Sequence, residues 1–367
     1  MHYHIILTEL CDSRCRYCYE KSFKEFDNGL EEKFEFNFTD PPKSEVKIET
    51  LKEFLSNDPE PTLIFYGGEP LLEIDKIKEI IENIDCKFRM QTNAKLLKNL
   101  PIDYLKKIGK ILVSIDGTKE RTDFNRGSGT YDQVIQNIRK ARELGYTGEI
   151  VARMTISKPD IFSQVKHLLS LQGIFDSIHW QLDAGFYKYD FDPKKFEDFS
   201  SQYNKEIDLL IDFWADNIKK GKVIKLYPFL GIINRLLGFD KSTNIMCGAG
   251  HSGYTITTSG KISACPIMNN IKTFECGNIE DGLIKKIDII NPCTDCEEKR
   301  FCGGRCLYSN YAKLWGDEGE KMICQTIRHL ISKLRSTLPE IKEAIEKGII
   351  TKQDLSYEKY FGPEIIP

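Results

Sequence analysis

The first half of the sequence predicts an α/β fold, built as a partial barrel of six strand–helix units. Three observations predict it. Short apolar runs alternate with amphipathic stretches through this half, which indicates parallel strands joined by right-handed crossovers. The 367 residues exceed one ordinary core and fit a barrel with an appendage. From about Thr243 the composition shifts to Gly, Cys and Asn, which predicts a second, smaller unit.

The predicted barrel contains six strands with amphipathic helices between them. The strands are residues 4–8, 62–66, 88–92, 111–115, 149–156 and 177–182. The helices include residues 48–55, 74–83, 131–144 and 162–171. In folds of this kind, ligands bind at the carboxyl ends of the strands.

A segment rich in Glu, Lys and Phe, residues 21–44, interrupts the first strand–helix unit and ends in Pro41-Pro42. Two interpretations remain open for it. One is a solvated loop, the usual state of such a connection. The other is a lid or substrate-contact segment beside the site.

The second half predicts one long amphipathic helix at residues 193–220, then the Cys-rich unit, and a last helix at about residues 321–333 followed by a polar tail. A unit with so small a core is expected to be held together by metal. We therefore divide the chain into a barrel (1–190), a helical linker (191–242), a Cys-rich domain (243–335), and a C-terminal helix and tail (336–367).

Composition excludes several classes of protein. The net charge of −3 and the pI of about 6.2 indicate no general affinity for nucleic acid or an anionic membrane. No apolar run reaches the ~18 residues that a transmembrane helix needs. The first seven residues lack the features of a signal peptide. The sequence therefore predicts a cytoplasmic protein with neither nucleic acid nor a membrane as a partner.

Twelve cysteines in such a chain indicate metal ligands, because structural disulfides are disfavoured in a reducing compartment. Ten of them fall into two groups, one near the start of the chain and one beyond residue 243. Cys86 and Cys276 stand apart from both groups.

The first group has the spacing C-x3-C-x2-C and follows the first predicted strand directly: Cys11, Cys15 and Cys18. Three thiolates on one loop can bind three irons of a [4Fe–4S] cubane and leave the fourth iron open to a chelating cosubstrate. A zinc knuckle or buried thiols are the alternatives, although zinc would need a fourth ligand.

This pattern, C-x3-C-x-aromatic-C after the first strand, resembles the signature of the radical SAM family. The resemblance implies a [4Fe–4S] cluster that binds and reductively cleaves S-adenosylmethionine (SAM). It also implies that Tyr17, the aromatic before the last cysteine, packs near the adenine of SAM. On the sequence alone Tyr17 could equally belong to the core.

Three further segments resemble the family in the same order. Gly67-Gly68-Glu69-Pro70 follows the second strand, and the resemblance implies that this motif grips the amino group of SAM. Paired glycines allow close approach of the backbone, and a carboxylate can bind an ammonium. A plain turn is the alternative.

The other two segments end the third and fourth strands. Asn93 in Gln91-Thr92-Asn93 and Ser114 in Ser114-Ile115-Asp116-Gly117 resemble SAM-contacting positions, and Arg126 follows. The resemblance makes Ser114 and Arg153 plausible contacts to the ribose and carboxylate of SAM, for which arginine is well suited. Arg153 could instead be a charge at the rim of the barrel. The resemblance covers about residues 3–185.

The second cysteine group resembles a SPASM domain, which carries two auxiliary [4Fe–4S] clusters, so that the chain would hold three clusters. The resemblance implies an outer cluster on Cys293, Cys296, Cys302 and Cys324, and an inner cluster on Cys247, Cys265 and Cys306. A zinc ribbon is the alternative, because C-x2-C pairs also suit zinc.

The sequence departs from one version of this pattern. Sulfatase-maturing enzymes of the family carry a fourth inner cysteine where this chain has Gly253, and a proposed catalytic Asp where it has Pro266. Cys276, a substrate atom or no ligand at all could complete the inner cluster, with His251 as a distant choice. Both departures count against that activity, and the catalytic residues stay unassigned.

The resemblance implies a radical SAM oxidoreductase that makes a 5′-deoxyadenosyl radical and modifies a ribosomally made peptide or protein. An inner cluster with three evident ligands favours thioether formation at a substrate cysteine. The alternatives are sulfatase-maturase-like dehydrogenation and a small-molecule substrate. A ferredoxin or flavodoxin is expected as electron donor. Recognition of the leader segment of a peptide substrate is expected to come from another chain or from residues 21–44.

Overall fold

In the part of the chain that the computed structural model describes, residues 1–20, 23, 29–362 and 367, ten strands form one sheet. They are β1 His2–Thr8, β2 Thr62–Gly67, β3 Lys87–Thr92, β4 Ile108–Ser114, β5 Glu149–Ile156, β6 Ser177–Leu182, β7 Gly253–Ile256, β8 Lys261–Ser263, β9 Glu275–Asn278 and β10 Gly282–Leu283.

The helices of the described residues surround this sheet. They are α1 Ile48–Ser56, α2 Ile74–Asn83, α3 Ile102–Leu105, α4 Lys119–Arg126, α5 Thr130–Glu143, α6 Ile161–Ser170, α7 Pro193–Lys219, α8 Tyr227–Leu236, α9 Lys299–Cys302, α10 Leu307–Ala312, α11 Gly316–Ser336 and α12 Leu338–Glu346.

Strands β1 to β6 lie side by side in chain order, and each neighbouring pair is parallel. All six predicted strands are present, so the predicted fold class is confirmed. Their side chains are almost entirely buried because helices cover the sheet, which explains why they read as continuous apolar runs.

Local sequence accounts for the helices. In α5, Val134, Ile135, Ile138 and Ala141 recur at helical spacing and are buried. At the start of α7, the Asp192 side chain accepts a hydrogen bond of 3.1 Å from the backbone N–H of the third helical residue, and a proline occupies the first helical position.

The Cys-rich unit continues the barrel sheet. β7 pairs in parallel with β1, from His2 opposite Gly253 to Ile5 opposite Ile256, and β8, β9 and β10 follow as antiparallel neighbours. The sequence did not reveal this continuity, because the paired strands lie about 250 residues apart. The first cysteine loop follows β1 and Cys265 follows β8, so each cysteine group has members next to this one sheet.

The region predicted as a helical linker is part of the core. α7 packs against α6, α11 and α12, and α8 packs against β6 with nine of its ten residues buried. A spacer would expose most of its length, so this region joins the two halves by packing rather than by chain connection alone.

The prediction of a polar tail is wrong in part, because residues 355–362 fill the lower end of the barrel. Phe361 is fully buried and contacts Ile64, Leu112 and Val151 on three different strands. The tail was predicted to be polar because its apolar residues are few, yet those few enter the core.

A charged cluster holds the same segment. The Glu358 carboxylate accepts hydrogen bonds from Arg89 Nε at 3.0 and 3.1 Å and lies 3.0 Å from Lys110 Nζ. Burial alone would raise the pKa of Glu358, but the hydrogen bond from His2 and the charges of Lys110 and Arg89 hold it well below its usual value.

The described part of the segment predicted as a loop or lid, residues 29–44, lies against the C-terminal half. The Lys33 ammonium donates to the Ala312 carbonyl at 2.8 Å, and the Asn37 N–H donates to the Asn270 carbonyl at 2.7 Å. Residues 21, 22 and 24–28 of that prediction lie outside the described residues. The rest bridges the two halves rather than projecting into solvent.

None of the helices in the described ranges is both long and apolar enough to cross a membrane.

Candidate active site

A cavity of about 220 Å³ lies at the carboxyl ends of the barrel strands, between them and the C-terminal strands. Parallel strands present their carboxyl ends at one edge, where binding sites of such folds form. Cysteines of both groups line this one cavity: Cys11, Cys15, Cys18, Cys247 and Cys265.

The loop of the first cysteine group is held by backbone contacts on both sides. The Arg16 N–H donates to the Asn125 carbonyl at 2.9 Å, and the Tyr187 hydroxyl donates to the Cys18 carbonyl at 2.6 Å. Burial raises the pKa of the Cys11 thiol to about 12. Three thiols that share a cavity, one of them exposed and two half-buried, fit a [4Fe–4S] cluster, which supplies the positive charge that stabilises thiolates.

The GGE segment places glycine, and not glutamate, at the cavity wall. Gly67 and Gly68 line the cavity, and an added Cβ at either would come within 2.3 Å of a backbone oxygen of the cysteine loop. Only glycine can therefore pack here.

The Glu69 side chain is fully buried beneath this turn. It accepts hydrogen bonds from the Leu71 N–H (3.0 Å), the Thr92 hydroxyl (2.7 Å) and the Asn93 N–H (2.7 Å). Burial raises its pKa to about 7 against the lowering effect of these bonds. Glu69 therefore ties the β2 and β3 loops together, and Asn93 lines the cavity together with its neighbours Gln91 and Thr92.

Asp116, buried at the end of β4, organises another wall. It accepts bonds from Arg126 Nε (3.1 Å), Arg126 Nη2 (2.9 Å), the Asn125 amide (3.1 Å), the Thr155 N–H (3.0 Å) and the Tyr17 hydroxyl. The Arg126 guanidinium lies 5.3 Å from the centre of the Tyr17 ring. Both Tyr17 and Arg126 line the cavity, so one carboxylate positions the two side chains.

Ser114 and Arg153 stand opposite each other in the β4–β5 pair, and both line the cavity. Arg153 Nη2 donates to the Gln181 side chain at 2.9 Å, and Nη1 lies 3.0 Å from His179 Nδ1. Arg153 is half-buried at the rim of the barrel and faces the cavity, so its role as a SAM contact stays a prediction.

His4 adds a neutral group to the same wall. Burial, aided by His2 and Arg153, lowers its pKa to about 3. The imidazole therefore carries no charge at neutral pH.

The inner cysteines of the second group come together at the other side of the cavity. Cys247 and Cys265 line it, and burial together with the neighbouring Cys306 and Cys247 thiols raises the pKa of Cys265 well above its usual value. An added Cβ at Gly253 would lie 3.1 Å from the Cys247 carbonyl, so this position suits glycine.

Cys276 is placed elsewhere. It is a fully buried residue of β9, its thiol donates to the Phe274 carbonyl at 3.5 Å, and it is not among the described residues that line the cavity. Burial raises its pKa to about 11 and the charge of Lys285 opposes this rise. Its role as a fourth inner ligand stays a prediction that this geometry does not favour; His251, bonded to Ser252 and Asn244, is no better placed.

The outer cysteines surround a second, smaller cavity of about 70 Å³. Its walls contain Cys293, Cys296, Cys302 and Cys324. Among the described residues, no three Cys, His, Asp or Glu side chains close on one point as a single metal ion requires. Arg328 Nη2 donates to Cys296 Sγ at 3.5 Å, and burial raises the pKa of Cys302 to about 12.

The cavity residues that sequence reasoning missed include His4, Tyr19, Gln181 and Asp183. Asp183 carried a usable signal, because it directly follows a predicted strand. The others are ordinary members of strands or loops, and only their positions in the folded chain reveal them.

The Radical SAM superfamily model matches residues 5–171. The relatives include an uncharacterized protein of Archaeoglobus fulgidus, 27% identical over 83% of this chain and 74% of its own length. They also include the cysteine-type anaerobic sulfatase-maturating enzyme of Clostridium perfringens, 23% identical over 81% of this chain and 85% of its own. The radical SAM cyclopropyl synthase TigE of Paramaledivibacter caminithermalis is 21% identical over 83% of this chain and 67% of its own.

Two solved structures have the same fold. anSMEcpe with bound AdoMet and Cp18Cys peptide matches with a TM-score of 0.69 and 18% identity, over 94% of this chain and 99% of its own. Streptococcus suis SuiB bound to its precursor peptide SuiA matches with a TM-score of 0.50 and 15% identity, over 83% and 71%.

The class of protein follows from fold, cavity and comparisons together: residues 5–171 are a radical SAM domain, and the whole chain has the fold of a SPASM-type maturase. Over most of its length the chain is also similar to a sulfatase-maturating enzyme and to a radical SAM cyclopropyl synthase. A radical SAM domain implies SAM and a [4Fe–4S] cluster, and the predicted resemblance is confirmed over residues 5–171.

Proposed function

We propose that this enzyme uses SAM, bound at the first cysteine loop, to modify a ribosomally made peptide or protein, with thioether formation at a substrate cysteine as the favoured outcome. One observation carries the proposal. The three cysteines of the radical SAM loop and two inner cysteines of the C-terminal half line one cavity. A substrate in that cavity would touch both SAM and the inner site.

Different residues bind the cluster and the methionine end of SAM. Cys11, Cys15 and Cys18 hold the cluster, which, when bound, supplies the electron that cleaves SAM to methionine and a 5′-deoxyadenosyl radical. The backbone of the Gly67–Gly68 turn faces the methionine end of SAM, with Pro70 and Glu69 fixing that turn from below. Asn93 completes this side of the site.

The opposite wall receives the nucleoside. Tyr17 is held against Arg126 and Asp116, where a flat ring can face adenine. Ser114 and Arg153 offer a hydroxyl and a guanidinium to the ribose and carboxylate. Arg126, Arg153 and Asp116 are already held in place by hydrogen bonds to other protein groups. They therefore need not reorganise when SAM binds.

Part of the cavity wall is apolar. Phe186, Ile267 and Tyr19 supply aromatic and aliphatic surface, and Phe186 stacks on Tyr308 at a centroid distance of 5.1 Å. A radical needs such a wall because water and oxygen divert reactive intermediates.

A peptide substrate is supported by the neighbours, two of which are described with bound peptides. Thioether formation is supported by the inner site: three cysteines come together there, Cys276 points elsewhere, and Gly253 adds no ligand. A substrate thiol would fit the vacant place of a fourth ligand.

Two alternatives remain. Sulfatase-maturase-like dehydrogenation is weakened by Pro266, which stands where those enzymes carry an acid. A small-molecule substrate would need no leader recognition. The product distinguishes the three reactions. Thioether formation gives a crosslinked peptide, dehydrogenation gives an oxidised peptide without a crosslink, and a small-molecule enzyme leaves the peptide pool unchanged.

The test is anaerobic reconstitution with iron and sulfide, a ferredoxin or flavodoxin as donor, SAM, and a pool of Cys-containing peptides read by mass spectrometry. We expect 5′-deoxyadenosine and a peptide that has lost two hydrogens and its free thiol. The matched pool with each Cys replaced by Ser is the control. Modification of the Ser pool at the same rate would rule out the thioether, and no 5′-deoxyadenosine in either pool would rule out the activity.

A further inference from the structure

We propose that Asp183 is the proton acceptor for the substrate in this cavity. The inference rests on the proposed function and extends it, because neither the sequence nor the relatives assign a base to this chain. The position at which sulfatase-maturing enzymes carry an acid is Pro266, which lines the same cavity. Asp183 stands on the barrel side of that cavity.

The position of Asp183 follows from the fold. It comes directly after β6, and its backbone N–H donates to the Ile156 carbonyl of β5 at 3.0 Å. This bond continues the β5–β6 pairing by one residue and fixes the main chain. The side chain therefore projects at the carboxyl end of the sheet, where it lines the cavity with the cysteines of both groups.

The Asp183 carboxylate differs from the other buried acids nearby. Glu69 accepts three hydrogen bonds and Asp116 accepts five, so both are fully engaged in holding the walls. In the described ranges, the Asp183 carboxylate has neither a hydrogen-bond donor nor an ion-pair partner. An acid left without a partner in a cavity is available to a ligand.

Its surroundings make it a base near neutral pH. Burial raises the pKa of Asp183 to about 7, and the negative charges of Asp190, in the same loop, and Asp116, at the end of β4, add to the rise. The other charged or titratable groups on the walls are His4, Glu20, Arg126, Arg153, the cysteines and the tyrosines Tyr17, Tyr19, Tyr66 and Tyr254. A group that titrates near the working pH is suited to proton transfer.

The chemistry balances with one hydrogen atom, one proton and one electron. A substrate that loses two hydrogens gives a hydrogen atom to the 5′-deoxyadenosyl radical, which forms a C–H bond of 5′-deoxyadenosine. The second hydrogen leaves as a proton to an oxygen of Asp183, and the remaining electron goes to a one-electron acceptor of the iron–sulfur class. For a thioether, the proton comes from the substrate S–H and the new bond is S–C.

The experiment compares wild-type holoenzyme with Asp183→Asn and Asp183→Glu, using the Cys-containing peptide pool. Because Asn keeps the shape but cannot accept a proton, we expect peptide modification to fall by roughly 100-fold or more, with SAM affinity and 5′-deoxyadenosine formation retained. The wild-type rate of modification should rise with pH through about 7, because only the ionised carboxylate accepts a proton. Asp183→Glu should recover part of the rate.

Asp190→Asn is the matched control, since Asp190 is an exposed acid seven residues further along the same segment. It should keep the activity and move the rise to lower pH, because one negative neighbour is removed. A tenfold weaker SAM affinity in Asp183→Asn would make Asp183 a SAM ligand and overturn the proposal, as would an unchanged pH profile.

A second measurement is independent of the substrate. Infrared titration of the carboxyl groups should show, beside Glu69, a second carboxyl group that ionises near pH 7 in wild type and is missing in Asp183→Asn. If no peptide is modified by the wild type, the proposed function fails on its own, and this titration still decides whether Asp183 is such a base. The absence of that band would contradict the inference directly.

Discussion

The buried residue Asp116 fixes the geometry of the cavity wall that we propose to bind the nucleoside of SAM. With five hydrogen bonds it aligns Tyr17, Arg126 and Asn125, two of which line the cavity. The Asp116–Arg126 ion pair is almost fully buried, with side-chain exposures of 0% and 8%. In such a pair, each charge depends on the other.

Asp116→Asn should destabilise the fold by about 3–5 kcal/mol, because it leaves the Arg126 charge buried without a partner. SAM affinity should fall in parallel as Tyr17 and Arg126 lose their positions. Urea unfolding and SAM titration of the holoenzyme measure the two effects.

The control for this prediction is Asp132→Asn, a change at an exposed acid that pairs with Lys119 on the surface. It should alter the unfolding free energy by less than ~0.5 kcal/mol. An Asp116→Asn protein as stable as this control would show that the cluster does not hold the wall.

Glu69 is a second single residue with a structural role, since its hydrogen bonds stabilise the loops around the cavity. Glu69→Gln replaces one acceptor oxygen by an N–H₂ group that faces the donors of Leu71, Thr92 and Asn93. We expect a loss of about 1–3 kcal/mol, because a buried donor is left without an acceptor. Thermal unfolding measures the loss, and SAM affinity should weaken through the displaced Asn93.

Glu73→Gln is the matched control, because Glu73 lies one turn further on and pairs with the exposed Lys43. If Glu69→Gln left stability at the control value and weakened only SAM binding, the carboxylate would be a direct SAM contact, as the sequence resemblance implied.

At the scale of the element, residues 355–362 complete a barrel that its six strands leave unfilled. Leu355 and Phe361 are fully buried, and the ammonium of Lys110 lies 4.4 Å from the centre of the Phe361 ring. The next residue, Gly362, lines the cavity. The segment thus forms the floor of the site and seals the lower end of the barrel.

Phe361→Ala should cost about 3–5 kcal/mol of unfolding free energy, because it opens a void among Ile64, Leu112 and Val151. Guanidinium unfolding gives the value. Ile349→Ala, at a partly exposed position shortly before the segment, should have little effect. Equal effects of the two changes would mean that the segment detaches from the barrel in solution.

At the scale of the whole molecule, the cysteines cluster at three places, which we propose as iron sites: the first loop, the inner site and the outer cavity. We predict about twelve irons per chain after anaerobic reconstitution, from three cubanes of four. Zinc in place of iron in the C-terminal half would contradict this count.

Replacing the four outer cysteines by Ser tests whether the outer iron site is independent of the site that cleaves SAM. Cys293, Cys296, Cys302 and Cys324 line a cavity of their own, so their loss should remove roughly four irons while SAM is still cleaved. Replacing Cys11, Cys15 and Cys18 by Ala is the complementary change, and it should abolish SAM cleavage while the auxiliary absorbance stays.

The sequence by itself determined the order of strands and helices, the fold class and the spacing of the candidate cluster ligands. Apolar periodicity is a local property, so β5 and β6 could be predicted to the residue. Ligand chemistry is also local, because thiols at short spacing on one loop identify a cluster site.

Tertiary structure alone decided which distant segments meet. It placed β7 beside β1, brought Cys247 and Cys265 into the cavity of the first loop, kept Cys276 apart, and put Phe361 in the barrel. Among the residues that the structure describes, it also left the half-buried Asp183 carboxylate with neither a hydrogen-bond donor nor an ion-pair partner. Pairing, burial and pKa depend on neighbours far along the chain, and the residue pattern around each position carries no record of those neighbours.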